Sequence, residues 1–354
     1  MDIVCSDFLW SLFVGALNSY KHDSLLRPFP AQYKNEDGEK CFDDLKTVVS
    51  NIPQFDKLNW KDKSRQSSIS LLKWVINPKR FTMKLGTAMT FADIKRLVGE
   101  TENIACDATP DFVFEIQYGE QEETRFQTLR NNLGLFYAYH GSRTENFYSI
   151  IQTGLKNNLN KIALYGEGIY LSSDLRVSLT YSPISKTWDK SLLGDSLSCI
   201  AVCEVIDHPV DVKCSIQHSK KGSTCSGPDE NQARTSDSNL LNRKRSFIKG
   251  SEGGEIPDKY YVVRNDDLVR VKYLLVHAPR AKKDLIRQLT TGASPRNVPA
   301  RRSALWTFLG RHQFTFVMLL YAVILVLVGV LNSRAFSNWW RDITRKNEET
   351  SFFA

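Results

Sequence analysis

Leu135 to Leu155 reads LFYAYHGSRTENFYSIIQTGL, and this stretch decides the architecture. Its first six residues are apolar and aromatic side chains of the kind a strand buries. The run stops at His140-Gly141. Thr144 to Gly154 then carries Phe147, Ile150 and Ile151 at helical spacing, with a glycine at its end. Six more strand-like runs lie outward from it: Phe81 to Leu85, Asp111 to Tyr118, Ile169 to Ser172, Leu197 to Val205, Lys259 to Val263 and Val269 to Val276. A second helical pattern covers Thr90 to Val98. The mixture predicts an α+β domain over 80–278 with a largely antiparallel sheet. Cys199 and Cys203, alternating with apolar neighbours in SCIAVCEV, read as strand or core residues.

Residues 1–79 have a different texture and predict a small all-helical N-terminal domain. Apolar residues recur at helical spacing in Phe8-Leu9, Leu12-Phe13, Leu17, Leu71-Leu72 and Trp74-Val75. Arg27-Pro28-Phe29-Pro30 and Asn51-Ile52-Pro53 break the pattern, and Asn77-Pro78 ends it. Phe8 to Leu17 is apolar enough for a signal peptide. Asp2 and Asp7 stand where positive charge would be required, however, so an amphipathic helix buried in the first domain is expected. No catalytic cluster is visible here. Residues 214–258, rich in Ser, Lys, Asn and Gly, read as a flexible insertion between strands.

The chain has 354 residues, 24% of them charged and 42% hydrophobic, with a net charge of +8. Seven scattered cysteines make a poor disulfide framework, and no CxxC pair suggests zinc, so no metal is expected. Much of the positive charge lies in 279–312, where Arg280, Lys282, Lys283, Arg287, Arg296, Arg301, Arg302 and Arg311 form a basic linker. A specific nucleic-acid partner is not expected, because basic residues beside an apolar run have a membrane explanation. Phe314 to Leu331 is such a run, eighteen residues without charge or proline. At about 1.5 Å per residue it crosses most of a roughly 30 Å hydrocarbon layer. Trp306 and Trp339-Trp340 suit the interfaces, and only four Lys/Arg follow the run. The expectation is one transmembrane helix at 313–331 acting as a tail anchor, a short lumenal tail at 332–354, and the large N-terminal part in the cytosol. The endoplasmic reticulum is the commonest destination of such anchors.

Three segments carry candidate chemistry: Tyr139 to Phe147; Gly166-Glu167-Gly168-Ile169-Tyr170-Leu171-Ser172 with Ser178 and Tyr181 after it; and Lys259-Tyr260-Tyr261-Val262-Val263 leading to Val271-Lys272-Tyr273-Leu274-Leu275-Val276. Singly each has a bland reading. A histidine at a strand end is more often structural than catalytic. GEGIY is not a GxGxxG fingerprint, and its glycines suffice for a turn. Strand tyrosines are usually core. Together, over roughly Phe81 to Ala278, they resemble the poly(ADP-ribose) polymerase, diphtheria-toxin-like family of ADP-ribosyltransferases. With KHDSLLRPFPAQY, CEVIDHP and the C-terminal run, the resemblance is strongest to its tail-anchored, mono-transferring branch.

That resemblance implies a use of NAD as co-substrate and assigns roles. His140 hydrogen-bonds the adenine-side ribose. Gly141 grips the nicotinamide carboxamide through its backbone, and Ser178 adds a hydroxyl to the same group. Tyr170 and Tyr181 flank the nicotinamide ring. The departing ring is already cationic and leaves neutral, so the site needs positioning and charge stabilisation rather than strong acid catalysis. Polymer-forming relatives carry a glutamate where this chain has Tyr260. A phenol with pKa near 10 is no carboxylate base at neutral pH, which favours transfer of a single ADP-ribose. The resemblance further implies protein acceptors, self-modification and a role in endoplasmic-reticulum stress signalling. The competing reading is a catalytically silent scaffold at the membrane that binds NAD or ADP-ribose.

Overall fold

A nine-stranded antiparallel sheet organises the computed structural model, which describes residues 2–86, 90–99, 109–159, 163–215 and 245–291 and a few positions between 321 and 340. Helices come first: α1 (Ile3–Asn18), α2 (His22–Leu25), α3 (Phe42–Ser50) and α4 (Gln66–Ile76). The sheet domain follows as β1 (Phe81–Leu85), α5 (Phe91–Val98), β2 (Phe112–Tyr118), α6 (Glu120–Arg130), β3 (Leu135–Gly141), α7 (Phe147–Thr153), β4 (Ile169–Ser172), α8 (Leu175–Thr180) and β5 (Ser185–Lys186). It ends with β6 (Ser196–Ile206), β7 (Val212–Cys214), β8 (Tyr260–Val263), β9 (Val269–His277) and α9 (Lys283–Thr291). The strand order is β1-β2-β9-β6-β3-β4-β8-β7, with β5 paired to β6 beside this path. Every strand expected from the sequence is present, and the expected α+β class holds.

Alternation along the strands sorts the core into two layers. Ile200 and Val202 of β6, with Tyr139 and Leu275, pack against Ile94 and Val98 of α5 and Leu175 of α8. Cys199, Ala201 and Cys203, with Phe114, Ile116 and Leu274, face α1, α4 and α7. β6 is central and covered on both faces, so its sequence is a continuous apolar run rather than an alternating one. Local signals set the helix ends. Asp2 caps α1 through the N–H of Val4 at 2.7 Å, and a Thr90–Asp93 capping box opens α5.

Several expectations change. The helix expected over Phe8 to Leu17 is not amphipathic: every residue of α1 from Val4 to Leu17 is buried. It packs against α2, α3, α4, β1, α7 and α9. Phe8 stacks on Phe114 at 4.5 Å, and Phe13 meets Tyr148 at 5.3 Å. Residues 1–293 accordingly form one compact unit. Asp7, inside that core, accepts hydrogen bonds from the Ser191 hydroxyl and the Leu192 N–H. The stretch read as a linker from 279 begins with α9, whose Ile286 is buried and whose approach is held by the Lys282 N–H on the Leu192 carbonyl at 2.9 Å.

The insertion read as flexible contains a folded hairpin at its end, with Phe247 bridging Glu255 and Ile256 buried. Two isoleucines in polar surroundings were too weak a signal to find it; residues 216–244 lie outside the described residues. α6 was also missed. It buries only Phe126, against the Arg270 guanidinium at 3.8 Å, so it has no apolar stripe to detect. Among the described residues no helix is long and apolar enough to cross a membrane. The expected transmembrane segment at 313–331 lies outside them save for Tyr321, Val328 and Gly329.

Candidate active site

The site is built where the sheet comes apart. β3 pairs with β6 as far as Gly141–Ile200, but with β4 only at Tyr139–Ser172. Beyond that pair the two strands diverge, and the His140 ring bridges the opening through Nδ1 to the Tyr170 carbonyl at 2.9 Å. A carbonyl can only accept, so Nδ1 carries the proton and Nε2 is left as an acceptor. Burial pushes the His140 pKa below its ordinary value, against the opposing bond to Tyr170, so the ring stays neutral at neutral pH. A neutral histidine with a free acceptor nitrogen suits a hydroxyl donor such as a ribose.

Gly141 follows, and α8 presses on it. A Cβ at Gly141 would lie 2.0 Å from the carbonyl oxygen of Ser178, closer than any side chain tolerates. The glycine is required by this close approach, a different reason from the one its sequence context suggests. Asp174 caps α8 through the N–H of Arg176 at 3.0 Å and also binds Lys259 Nζ at 3.2 Å. The Arg176 guanidinium, first among these partners, draws the Asp174 pKa down to about 2. α8 carries buried Ser178 towards Gly141 and ends at Thr180, with Tyr181, 59% exposed, at its C-cap.

Tyr170 lies on β4 between these walls. Its hydroxyl accepts the N–H of Tyr165 and donates to the carbonyl of Gly166, both at 2.8 Å. The phenol therefore anchors the loop before β4, and burial raises its pKa. Gly166 has φ +96°, which a glycine adopts without strain, and the Ile248 side chain of the hairpin closes over it. Tyr260 opens β8 opposite Ser172. Its ring is 6.4 Å from Tyr165, and burial, then Tyr181, Tyr165 and Asp174, raise its pKa.

His140, Gly141, Tyr170, Ser178, Tyr181 and Tyr260 thus line one opening around the ends of β3, β4 and β8. Tyr165, Asp174, Ser182 and Lys259 join them. Lys259 lies in the third candidate segment, though no role was read for it; sequence reasoning overlooked the other three, of which only Tyr165, directly before GEG, had a positional cue. Among the described residues no group of three His, Cys, Asp or Glu could hold a metal ion.

Known proteins resemble this chain throughout. The poly(ADP-ribose) polymerase catalytic domain matches residues 88–278, and the ARTD15 N-terminal domain matches residues 1–76. Protein mono-ADP-ribosyltransferase PARP16 of Mus musculus is 41% identical over 346 residues, covering 97% of this chain and 95% of its own. Its Homo sapiens namesake is 40% identical over 345 residues, with the same two coverages. Protein mono-ADP-ribosyltransferase PARP8 of Mus musculus is 24% identical over 251 residues, 57% of this chain and 28% of its own.

Proposed function

This chain belongs to the poly(ADP-ribose) polymerase catalytic-domain family, and from that premise we propose that it transfers single ADP-ribose units from NAD to protein side chains at the cytosolic face of the endoplasmic reticulum membrane. It is a protein mono-ADP-ribosyltransferase. The observation that carries the residue roles is the opening between β3 and β4, which collects His140, Gly141, Ser178, Tyr170 and Tyr181 but no carboxylate at Tyr260.

The residues fit NAD at a specific point: the close packing of α8 on Gly141 sets the Gly141 backbone beside Ser178, so that peptide groups and a hydroxyl stand together for one carboxamide. NAD supplies an electrophilic ribose carbon. Its bond to nicotinamide breaks with the electron pair leaving on the neutral ring, and the lone pair of an acceptor side chain closes the new bond, its proton going to solvent. The chain's own groups hold this arrangement. His140 Nε2 accepts from a ribose hydroxyl, Gly141 and Ser178 hold the carboxamide, and Tyr181 stacks on the ring. Tyr170 keeps the preceding loop in place. Tyr260, its phenol raised further by burial, stays neutral and cannot take a proton from a second ribose.

The purified chain incubated with labelled NAD tests the activity. Covalent label on protein, the chain itself included, is expected. Reversible binding alone would mark the silent scaffold, and the absence of both label and binding would leave the site without its substrate. Membrane anchoring rests on the uncharged run Phe314 to Leu331 and its flanking basic residues. A chain ending at Ala293, which retains α9, is expected to stay in the soluble fraction with its activity intact. A glycosylation acceptor placed after Ala354 is expected to be modified, and one placed before Met1 is not. Modification of the N-terminal acceptor would reverse the topology. The role in stress signalling rests on the family resemblance and is tested by whether endoplasmic-reticulum stress raises labelling in cells.

A further inference from the structure

Ser182 belongs to none of the motifs, yet it is 4% exposed and stands directly behind the contact between Gly141 and α8. Its hydroxyl accepts the N–H of Ser142 at 3.1 Å and donates to the carbonyl of Ser178 at 3.2 Å. One oxygen therefore ties the residue after Gly141 to the residue that faces Gly141. The carbonyl it holds is the atom a Cβ on Gly141 would strike. The backbone of Ser182 is fixed in turn, because the Ser198 hydroxyl of β6 donates to its carbonyl at 2.6 Å. Ser142 has a second restraint, accepting the Asn146 side-chain amide at 2.8 Å.

We propose that Ser182 is a positioning residue that locks the contact between Gly141 and α8, and so fixes the edge that holds the carboxamide, acting through Ser142 and Ser178 without touching NAD. The inference rests on the proposed placement of the nicotinamide carboxamide against the adjoining Gly141 backbone and Ser178 hydroxyl. Strand β3 ends at Gly141, and α8 ends at Thr180. Each wall of this contact is therefore the last turn or residue of its element, where backbone frays most readily. A buried hydroxyl using both its donor and its acceptor on the two walls removes that freedom. Tyr181, next to Ser182, is held to the same register.

The two halves of NAD separate this role from a general structural one. Nicotinamide engages only the edge formed by Gly141 and Ser178, whereas ADP-ribose occupies the rest of the site. In the full chain, Ser182→Ala is expected to weaken nicotinamide as an inhibitor of transfer by about fivefold to tenfold, the scale of one lost neutral hydrogen bond. Inhibition by ADP-ribose is expected to stay within about twofold. KM for NAD rises accordingly. Ser198→Ala, which leaves the hydroxyl but loosens its backbone, is expected to show the same split more weakly and serves if Ser182→Ala folds poorly. Equal losses for both ligands, or no loss for either, in a folded variant would overturn the proposal. If nicotinamide fails to inhibit the unaltered chain while transfer proceeds, the placement of the ring is wrong and this inference falls with it.

Discussion

Gly141→Ala is the smallest change that tests the geometry of the site. The new Cβ would stand 2.0 Å from the Ser178 oxygen, 2.8 Å from its carbonyl carbon and 2.9 Å from its Cα. A carbon–oxygen contact settles at about 3.3 Å, so the walls must part by roughly 1.3 Å. Neither wall moves easily. β3 is laddered to β6 up to Gly141 itself. α8 is capped by Asp174 at one end and tied through Ser182 at the other. Overpacking of this kind costs about 1–3 kcal/mol of stability. For a unit of this size that lowers Tm by roughly 2 to 10 °C. The effect on chemistry is larger, since a displacement of about 1 Å in a positioning group costs on the order of 100-fold. Transfer of labelled ADP-ribose as a function of NAD concentration measures it, with calorimetry on the same sample. A variant with unchanged Tm and unchanged kcat/KM would refute the close approach of α8 to Gly141 and the carboxamide edge built on it.

His140→Ala is expected to lower kcat/KM by on the order of 100-fold with the fold intact, since it removes the acceptor that orients the donor. Because the folded pKa of His140 lies below the ordinary 6.5, NAD affinity should hold down to that pH and fall only beneath it, as protonation destroys the acceptor; a loss centred at or above pH 6.5 would contradict this. Phosphodiesterase digestion of the labelled product should yield AMP alone, and Tyr260→Glu by itself should not produce chains; appreciable phosphoribosyl-AMP from the unaltered chain would show that Tyr260 does not limit product length. Asp7 offers a stability test. Burial raises its pKa from 3.8 to about 6, so the folded state holds a proton that the unfolded state releases, and stability falls as pH rises through that window. Asp7→Asn should flatten this fall, by about 2–3 kcal/mol between the two limits; parallel pH profiles for the two proteins would remove the argument.

Much of this molecule is legible in its sequence. All seven strands read from the chain are present within a residue or two, because β-branched and aromatic runs bounded by Gly, Asn and Pro have one local solution. The helical breaks at Pro28, Pro53 and Pro78 are equally local. His140, Gly141, Tyr170, Ser178, Tyr181 and Tyr260 could be named because their spacing carries a family resemblance. What the sequence could not decide depends on partners far along the chain. α1 is buried on every side because the sheet and the α3–α4 helices close on it together, a fact no single helical period encodes. The requirement for glycine at 141 comes from the Ser178 carbonyl, and the tautomer of His140 from the Tyr170 carbonyl. Asp174 and Ser182 carry no motif, and they matter through bonds to Lys259 and Ser142 that exist only after β3, β4, α8 and β8 have met. Periodicity and turn chemistry are properties of neighbouring residues, whereas a close contact such as that of Gly141 with Ser178 is a property of two backbones brought together by the fold.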